Sequence, residues 1–348
     1  MKVDVNKHVI KVGSKIKDAL ISLNNLSQDA ILFVVDKNYK LLGSLTDGDV
    51  RRSLIKGLSL DSLVNDVIIN DPKYIIKGET DLKQIISFRN SNLKVIPVLN
   101  KKFEIIDILN FRIIKSYIPV DAVVMAGGKG SRLMPLTKLT PKPLLKINNK
   151  CIIDYNIDNL ISFGIDEYWI SINYLGEKIQ KHLGNGKSKD ININYVYEDI
   201  PMGTIGAIKS LNSINDYVLI TNSDILTNLN YEDFFLDFIK NNADMSVVTI
   251  PYHVSVPYGV LETKNNHIIN LKEKPRYTYY SNAGIYLVKK EFLNLIPENK
   301  FYNATDLIEK LISLSKIVIS FPTSSYWLDI GKHDDFKKAK EDIINLNF

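Results

Sequence analysis

Short apolar runs separated by amphipathic stretches organise the chain from about residue 118 onward. Ala122-Val123-Val124-Met125 and Val218-Leu219-Ile220 are continuous apolar runs closed by polar or glycine-rich segments. Runs of this kind predict buried strands, here near 121–126, 167–173, 193–198, 217–221 and 244–250. Between them the apolar positions recur with helical spacing, which predicts helices near 152–163, 175–183, 204–211 and 231–241. Strand and helix in alternation predict an α/β domain with a doubly wound, Rossmann-like sheet.

Before that region the pattern repeats itself. The segment from Ile31 to Leu45 aligns with the segment from Val95 to Leu109 at an offset of 64 residues. Each copy reads as strand, short turn, strand, then helix. An amphipathic helix precedes each. Ile16, Ala19, Leu20, Leu23 and Leu26 share one face in the first; Thr80 caps a helix presenting Leu82, Ile85, Ile86 and Phe88 in the second. Ser116-Tyr117-Ile118-Pro119 closes this α+β region, since Pro119 favours an extended approach to the next strand. The expected domains are 1–117 and 118–348, and a length of 348 residues favours two.

Composition narrows the function classes. A net charge of +5, spread evenly, argues against nucleic acid as partner. A single cysteine, Cys151, argues against an intrachain disulfide and a Cys-based zinc site, and reads as a small half-buried residue. The five histidines form no His-x-x-x-His pair, which disfavours a zinc hydrolase. No apolar run reaches the length of a membrane span, and the charged N-terminus lacks a signal-peptide core, so the expected location is cytoplasmic.

The strongest chemical signal is Ala126-Gly127-Gly128-Lys129-Gly130-Ser131-Arg132-Leu133, followed by Thr140-Pro141-Lys142-Pro143-Leu144. Glycines let backbone N–H groups crowd around an anion. An arginine can fork onto phosphate oxygens and a lysine adds a point charge, so the pattern points to a nucleoside triphosphate. A Walker A loop would end in Gly-Lys-Ser/Thr, and a dinucleotide fingerprint would need Gly or Ala where Leu133 stands. An ordinary strand-to-loop turn is the plain alternative.

These motifs resemble the signature of the sugar-1-phosphate nucleotidyltransferases, and the similarity runs from about Val120 to the C-terminus. The resemblance implies attack by a sugar-1-phosphate oxygen on the α-phosphate of a triphosphate, with pyrophosphate leaving. It implies nucleotide contacts from Ala126, Gly127, Gly128, Gly130, Ser131 and Arg132, and from Gly203 and Gly206 in Pro201-Met202-Gly203-Thr204-Ile205-Gly206, with Thr204 opening a helix. Glu198 is a candidate base or sugar contact. Arg132, Lys142, Asp224, Lys274 and Asp329 are the implied catalytic set. Asp224 and Asp329, the latter in Trp327-Leu328-Asp329-Ile330-Gly331, are the implied Mg²⁺ pair. Gly259, Glu273, Lys274 and Asn282 are the implied sugar contacts. Ser131 and Lys332 stand where threonine is commoner, and neither change removes a catalytic group.

The N-terminal repeat resembles a tandem pair of CBS modules, closest at Leu45-Thr46-Asp47-Gly48-Asp49-Val50-Arg51-Arg52. By that resemblance Thr46 and Asp47 contact an adenine nucleotide, whereas Asn110, Phe111 and Asp107 break the pattern in the second copy. The alternative is a scaffold that only dimerises, with Thr46 a plain helix cap. The domain arrangement resembles guanylyltransferases that make GDP-sugars, among them the glucosamine-1-phosphate enzymes of legionaminic acid biosynthesis. That implies GTP and glucosamine-1-phosphate as substrates and GDP-glucosamine as product. Mannose- or heptose-1-phosphate guanylyl transfer, uridylyl or thymidylyl transfer, and a non-catalytic nucleotide-sugar sensor remain open at this point.

Overall fold

The computed structural model describes residues 3–79, 81–198, 200–213 and 215–344. The chain divides into two compact units. The first holds Met1–Pro119 with Ile161–Gly164 and Lys187–Asp190; the second holds Val120–Leu160, Ile165–Gly186 and Ile191–Phe348.

In the first unit the repeat is physical. One copy contains β1 (Val9–Lys11), α1 (Ile16–Leu26), β2 (Ile31–Val35), β3 (Leu41–Thr46) and α2 (Asp47–Ile55). The other contains β4 (Ile75–Ile76), α3 (Leu82–Asn90), β5 (Val95–Leu99) and β6 (Ile105–Asn110). In each, the first strand runs parallel to the second, which pairs antiparallel with the third. Even the register shifts match, at Val34/Val35 and at Val98/Leu99. α1 buries Ile16, Ala19 and Leu23, and α3 buries Leu82 and Ile85. The copies join through one apolar cluster of Phe33, Val35, Val95, Leu99, Ile105 and Ile108.

The second copy departs from its expected form. No helix follows β6. Instead Asn110 folds the chain back locally, its side-chain oxygen accepting from Arg112 N–H at 2.9 Å, while the Ile113 and Ile114 amides reach the Asn110 carbonyl. An Asx turn of this kind competes with helix initiation. Thr80 lies outside the described residues; Asp81 caps α3, accepting from Lys83 N–H at 2.9 Å.

The second unit is built on β7 (Val120–Met125), β8 (Lys146–Ile147), β9 (Lys150–Cys151), α4 (Ile152–Ser162), β10 (Glu167–Ile172), α5 (Gly176–Leu183), β11 (Asn192–Tyr197), β12 (Tyr217–Asn222) and β13 (Ile225–Thr227). α6 (Tyr231–Lys240), β14 (Met245–Ser255), β15 (Val260–Lys264), β16 (His267–Lys272), β17 (Arg276–Lys289), α7 (Ala304–Ser313), β18 (Val318–Pro322), β19 (Trp327–Asp329) and α8 (His333–Asp342) follow. The central sheet has the order β11-β10-β7-β12-β17-β14-β18. Its first four strands are parallel, and β17 runs antiparallel to both β12 and β14. The sheet is therefore mixed, whereas the sequence pattern alone, which stopped at residue 250, predicted only its doubly wound part. The first five residues of β7 are buried, as expected of a strand covered on both faces.

Two further differences concern the cleft side of this unit. The helix expected at 204–211 is a short 3-10 turn, Gly206–Ser210, and Thr204 does not cap it. Thr204 Oγ1 instead accepts from Ala304 N–H at 2.7 Å, the first residue of α7. The distal halves of β14 and β17, with the β15–β16 hairpin, form a ribbon in which every residue from 252 to 282 is exposed or half-buried.

A candidate anion and metal site at the strand switch

Strand order 3-2-1-4 places β7 beside β12, where the winding of the sheet reverses direction. Loops leaving two such strands diverge and open a crevice at their C-terminal ends. Ser223 N–H donates to Met125 O at 3.1 Å, so the loops after β7 and β12 part from a fixed point. The crevice is a cleft of about 530 Å³ lined by Gly127, Gly128, Lys129, Lys142, Gly203, Thr204 and Asp224. Asn173, Glu198, Met202, Asn222 and Phe301 complete much of its wall.

The charged residues are held by their apolar neighbours. Leu133, Leu145, Ile147, Leu226 and Ile330 belong to one buried cluster, and they follow closely upon Arg132, Lys142, Asp224 and Asp329. Burying them fixes the backbone from which the polar side chains project. β13 then pairs with β19 so that Ile225 faces Asp329, and Ile330 N–H donates to Asp224 O at 3.0 Å. Two aspartates far apart in sequence thus become neighbours. Lys142, only 7% exposed, donates to Asp224 Oδ2, and its Nζ lies 3.9 Å from Asp329 Oδ1. The Arg132 guanidinium lies against Gly331, its nitrogens 3.5 Å from where a Cβ there would be.

Asp329 Oδ1 is buried and has no hydrogen-bond partner among the described residues. Burial first, then the charge of Asp224, pushes the Asp329 carboxyl above its ordinary range, and Lys142 and Arg132 pull the other way. An orphaned carboxylate oxygen beside a second carboxylate fits a hard divalent cation, which prefers oxygen donors and keeps waters and phosphate oxygens as further ligands.

The glycines divide into three uses. Gly128 is open, with no atom of the described residues within 4 Å of a would-be Cβ. Gly127 has Glu198 Oε1 at 3.1 Å from that position, and Gly130, at φ +59°, has Lys142 Cβ at 3.1 Å, so both make room for neighbours. Gly203 and Gly206 lie against the backbone of the segment leading into α7: a Cβ on Gly203 would stand 2.7 Å from Tyr302 O, and one on Gly206 2.6 Å from Lys300 O. Gly203 lines the cleft, whereas Gly206 is absent from its lining. Ala126 is buried, with its N–H donating to Ser171 O at 2.8 Å, and Ser131 is exposed at the start of a 3-10 turn. Glu198 is committed internally: Ser171 Oγ donates to Oε1, and Met202 N–H donates to Oε2 at 3.2 Å. That makes it a brace between two cleft walls.

Gly259, Glu273, Lys274 and Asn282 do not line this cleft. Glu273 Oε2 is 3.0 Å from where a Cβ on Gly259 would be, so these two meet on the exposed ribbon. Lys274 sits there at φ +44°, and Asn282 accepts from Gly284 N–H at 2.9 Å. Sequence reasoning missed Asn173 and Phe301, which carry no motif of their own, and Asn222, which stands two residues before Asp224. It also missed Asn156 on α4, which is buried and donates to Ser223 O at 3.1 Å, directly before Asp224.

In the first unit, Thr46 Oγ1 accepts from Asp49 N–H at 3.3 Å and the Thr46 amide donates to Asp49 Oδ2 at 2.9 Å, a reciprocal cap of α2. Asp47 pairs with Arg51 and lines a second cavity of about 530 Å³ with Leu20, Leu23, Asn24, Ser27 and Ala30.

Residues 121–345 match the model of the Nucleotidyl transferase family. A D-glycero-alpha-D-manno-heptose 1-phosphate guanylyltransferase of Aneurinibacillus thermoaerophilus is 32% identical over 64% of this chain and 98% of its own length. A mannose-1-phosphate guanylyltransferase of Mycobacterium tuberculosis is 28% identical over 65% of this chain, which spans 65% of that relative. In fold the second unit is similar to HddC from Yersinia pseudotuberculosis complexed with GMP-PN, with a TM-score of 0.50 and 24% identity over 64% of this chain and 99% of that one. Among the described residues no helix is long and apolar enough to cross a membrane.

Proposed function

The chain belongs to the nucleotidyl transferase family through residues 121–345, and from that premise we propose that it transfers GMP from GTP to a sugar-1-phosphate. A phosphate oxygen of the sugar-1-phosphate attacks the α-phosphorus. The new P–O bond forms as the bond to the β-phosphate bridge breaks, and pyrophosphate leaves. The nucleophile is already anionic near neutral pH, so no general base is needed. Catalysis then consists of aligning two polyanions and offsetting their charge.

The observation that carries this reading is the convergence of Asp329 on Lys142 and Asp224, two residues that line the glycine-bearing cleft. In the proposed arrangement the open backbone at Gly128 receives the triphosphate, and Arg132 and Lys142 neutralise its charge. Asp224 and Asp329 would hold Mg²⁺, which supplies Lewis-acid stabilisation of the phosphate oxygens. From the ribbon, Gly259 would allow close approach to the sugar, Glu273 would accept from its hydroxyls, Lys274 would meet its phosphate and Asn282 would add an amide.

The domain arrangement favours glucosamine-1-phosphate, giving GDP-glucosamine as in legionaminic acid biosynthesis. The 32% identity to a heptose 1-phosphate guanylyltransferase supports a second reading, with a heptose in its place. Pyrophosphate release across five nucleoside triphosphates, each crossed with the 1-phosphates of glucosamine, mannose and heptose, separates these. GTP with one sugar should exceed every other pair by at least about tenfold, and an equal or larger rate with UTP or dTTP would overturn the guanylyl assignment.

The first unit, 1–117, is proposed to act as a tandem CBS module, taking an adenine nucleotide in the cavity beside Asp47 and joining two copies of the chain. Thr46 contributes its helix cap, and the Asp47 carboxylate would exchange its Arg51 partner for ribose hydroxyls. Calorimetry with AMP and ATP should show binding that Asp47→Ala weakens by at least about tenfold. Binding that Asp47→Ala leaves unchanged would remove the nucleotide from this cavity.

A further inference from the structure

A second cluster of chemically capable side chains lies in the same unit, outside the cleft. Cys151 ends β9, Asp154 sits in the first turn of α4, and His182 sits in the last turn of α5. Their ligand atoms all lie within 4.8 Å of one another. His182 Nε2 is 2.8 Å from Asp154 Oδ2. Cys151 is 5% exposed and Asp154 9%, while His182 is open to solvent at the helix end.

We propose that Cys151, Asp154 and His182 form a binding site for Zn²⁺, with water as the fourth ligand. Thiolate, imidazole and carboxylate are the three donor types zinc takes, and a tetrahedral site sets such donors roughly 3.3–3.6 Å apart. The observed separations need shifts of about an ångström or less to reach that. Solvent access at His182 gives an entry path and a place for the water. The donor set differs from that of the cleft, whose oxygens suit a hard cation. A thiolate and an imidazole favour a softer one.

Zinc has to displace the Cys151 thiol proton. Burial, and then the charge of Asp154, hold the Cys151 thiol up, and Lys146 only partly opposes this. A thiol and a carboxylate held together in a half-dry corner repel one another once both are ionised. A divalent cation removes that conflict, and zinc binding here releases the thiol proton to solvent. The cysteine count argued against a cysteine-only zinc site; one thiolate in a mixed set is a different case, and His182 joins it only because the fold brings the end of α5 to the first turn of α4.

A bound ion would tie the start of α4 to the end of α5. α4 also carries Asn156, whose amide holds the Ser223 carbonyl next to Asp224. The site would thus stiffen the support of the catalytic aspartate without touching substrate.

Cobalt(II) tests this directly, because Cys151 is the sole cysteine of the chain and only a thiolate gives the intense sulfur-to-cobalt charge-transfer band. The chelator-stripped full chain, titrated with Co²⁺, should develop that band with one equivalent, and Zn²⁺ should bleach it. Cys151→Ser should lose the band, and His182→Gln should weaken Co²⁺ binding at least about tenfold. Both variants should keep the melting temperature of the metal-free parent while losing the rise that Zn²⁺ produces. No band in the parent, or a band that His182→Gln leaves at full affinity, would overturn the proposal. So would a Zn²⁺-dependent rise in melting temperature that survives in both variants.

Discussion

Asp224→Asn and Asp329→Asn should each lower turnover by about a thousandfold or more, while moving stability in opposite directions. Both remove a carboxylate from the proposed Mg²⁺ pair, so both should lose pyrophosphate release. Their structural surroundings differ. Asp224 accepts from Lys142, a lysine only 7% exposed. Neutralising Asp224 strips that ammonium of its direct counter-charge and leaves Asp329 at 3.9 Å as partial compensation. A lost charged hydrogen bond of this kind costs about 1.5–3 kcal/mol. For a domain of this size the melting temperature should fall by about 3–6 °C.

Asp329 is the reverse case. Its carboxyl titrates above the ordinary range because burial and Asp224 disfavour its charge. For an acid raised in the folded state, the native protein binds the proton more tightly than the unfolded chain. Stability is therefore lost as pH rises from the ordinary carboxylate range through the folded value, and the full cost is present at neutral pH. Asn removes that cost, so metal-free Asp329→Asn should melt no lower than the parent at pH 7, with a gain kept small by solvent screening of the half-exposed side chain. Mg²⁺ should raise the melting temperature of the parent and of neither variant. Scanning fluorimetry with and without Mg²⁺, beside a pyrophosphate assay, reads all of this. Near-parental activity in Asp224→Asn would remove it from the site.

Gly203→Ala should be among the most damaging substitutions of a single methyl group. Gly203 sits at φ +78°, where an L residue is strained by about 1–2 kcal/mol. The added Cβ would also stand 2.7 Å from Tyr302 O and 2.9 Å from its carbonyl carbon, and backbone cannot step aside as a flexible side chain can. Because Tyr302 N–H donates to Met202 O at 2.9 Å and Ile205 N–H to Tyr302 O at 3.0 Å, the displacement would spread along both cleft-wall segments. We expect a loss of about 2–4 kcal/mol by denaturant unfolding and a higher KM for the nucleotide. Gly128→Ala, where nothing lies within 4 Å of the new carbon, should leave the melting temperature within about 1 °C of the parent and affect the nucleotide alone. Equal stability losses at the two positions would show that the close approach at Gly203 is not what demands glycine.

The local levels of this protein were legible in its residues. Buried apolar runs located β7, β10, β11 and β12, and helical spacing located α1, α4, α5 and α6, because both patterns are set by geometry within a few residues. The repeat was legible for the same reason, down to its 64-residue offset. Motif chemistry pointed to Arg132, Lys142, Asp224 and Asp329, which the fold does bring together. What lay beyond reach was anything set by distance in space. The antiparallel place of β17 in the sheet, the pairing of β13 with β19 that joins Asp224 to Asp329, and the bracing of Glu198 depend on long-range ladders that leave no local period. The 3-10 turn at Gly206–Ser210 is a tertiary override, since Gly203 and Gly206 are committed to close backbone approach with the chain entering α7. The meeting of Cys151 and Asp154 with His182 has the same origin. Residue type determined what each side chain could do, and only packing decided which of them would act on one another.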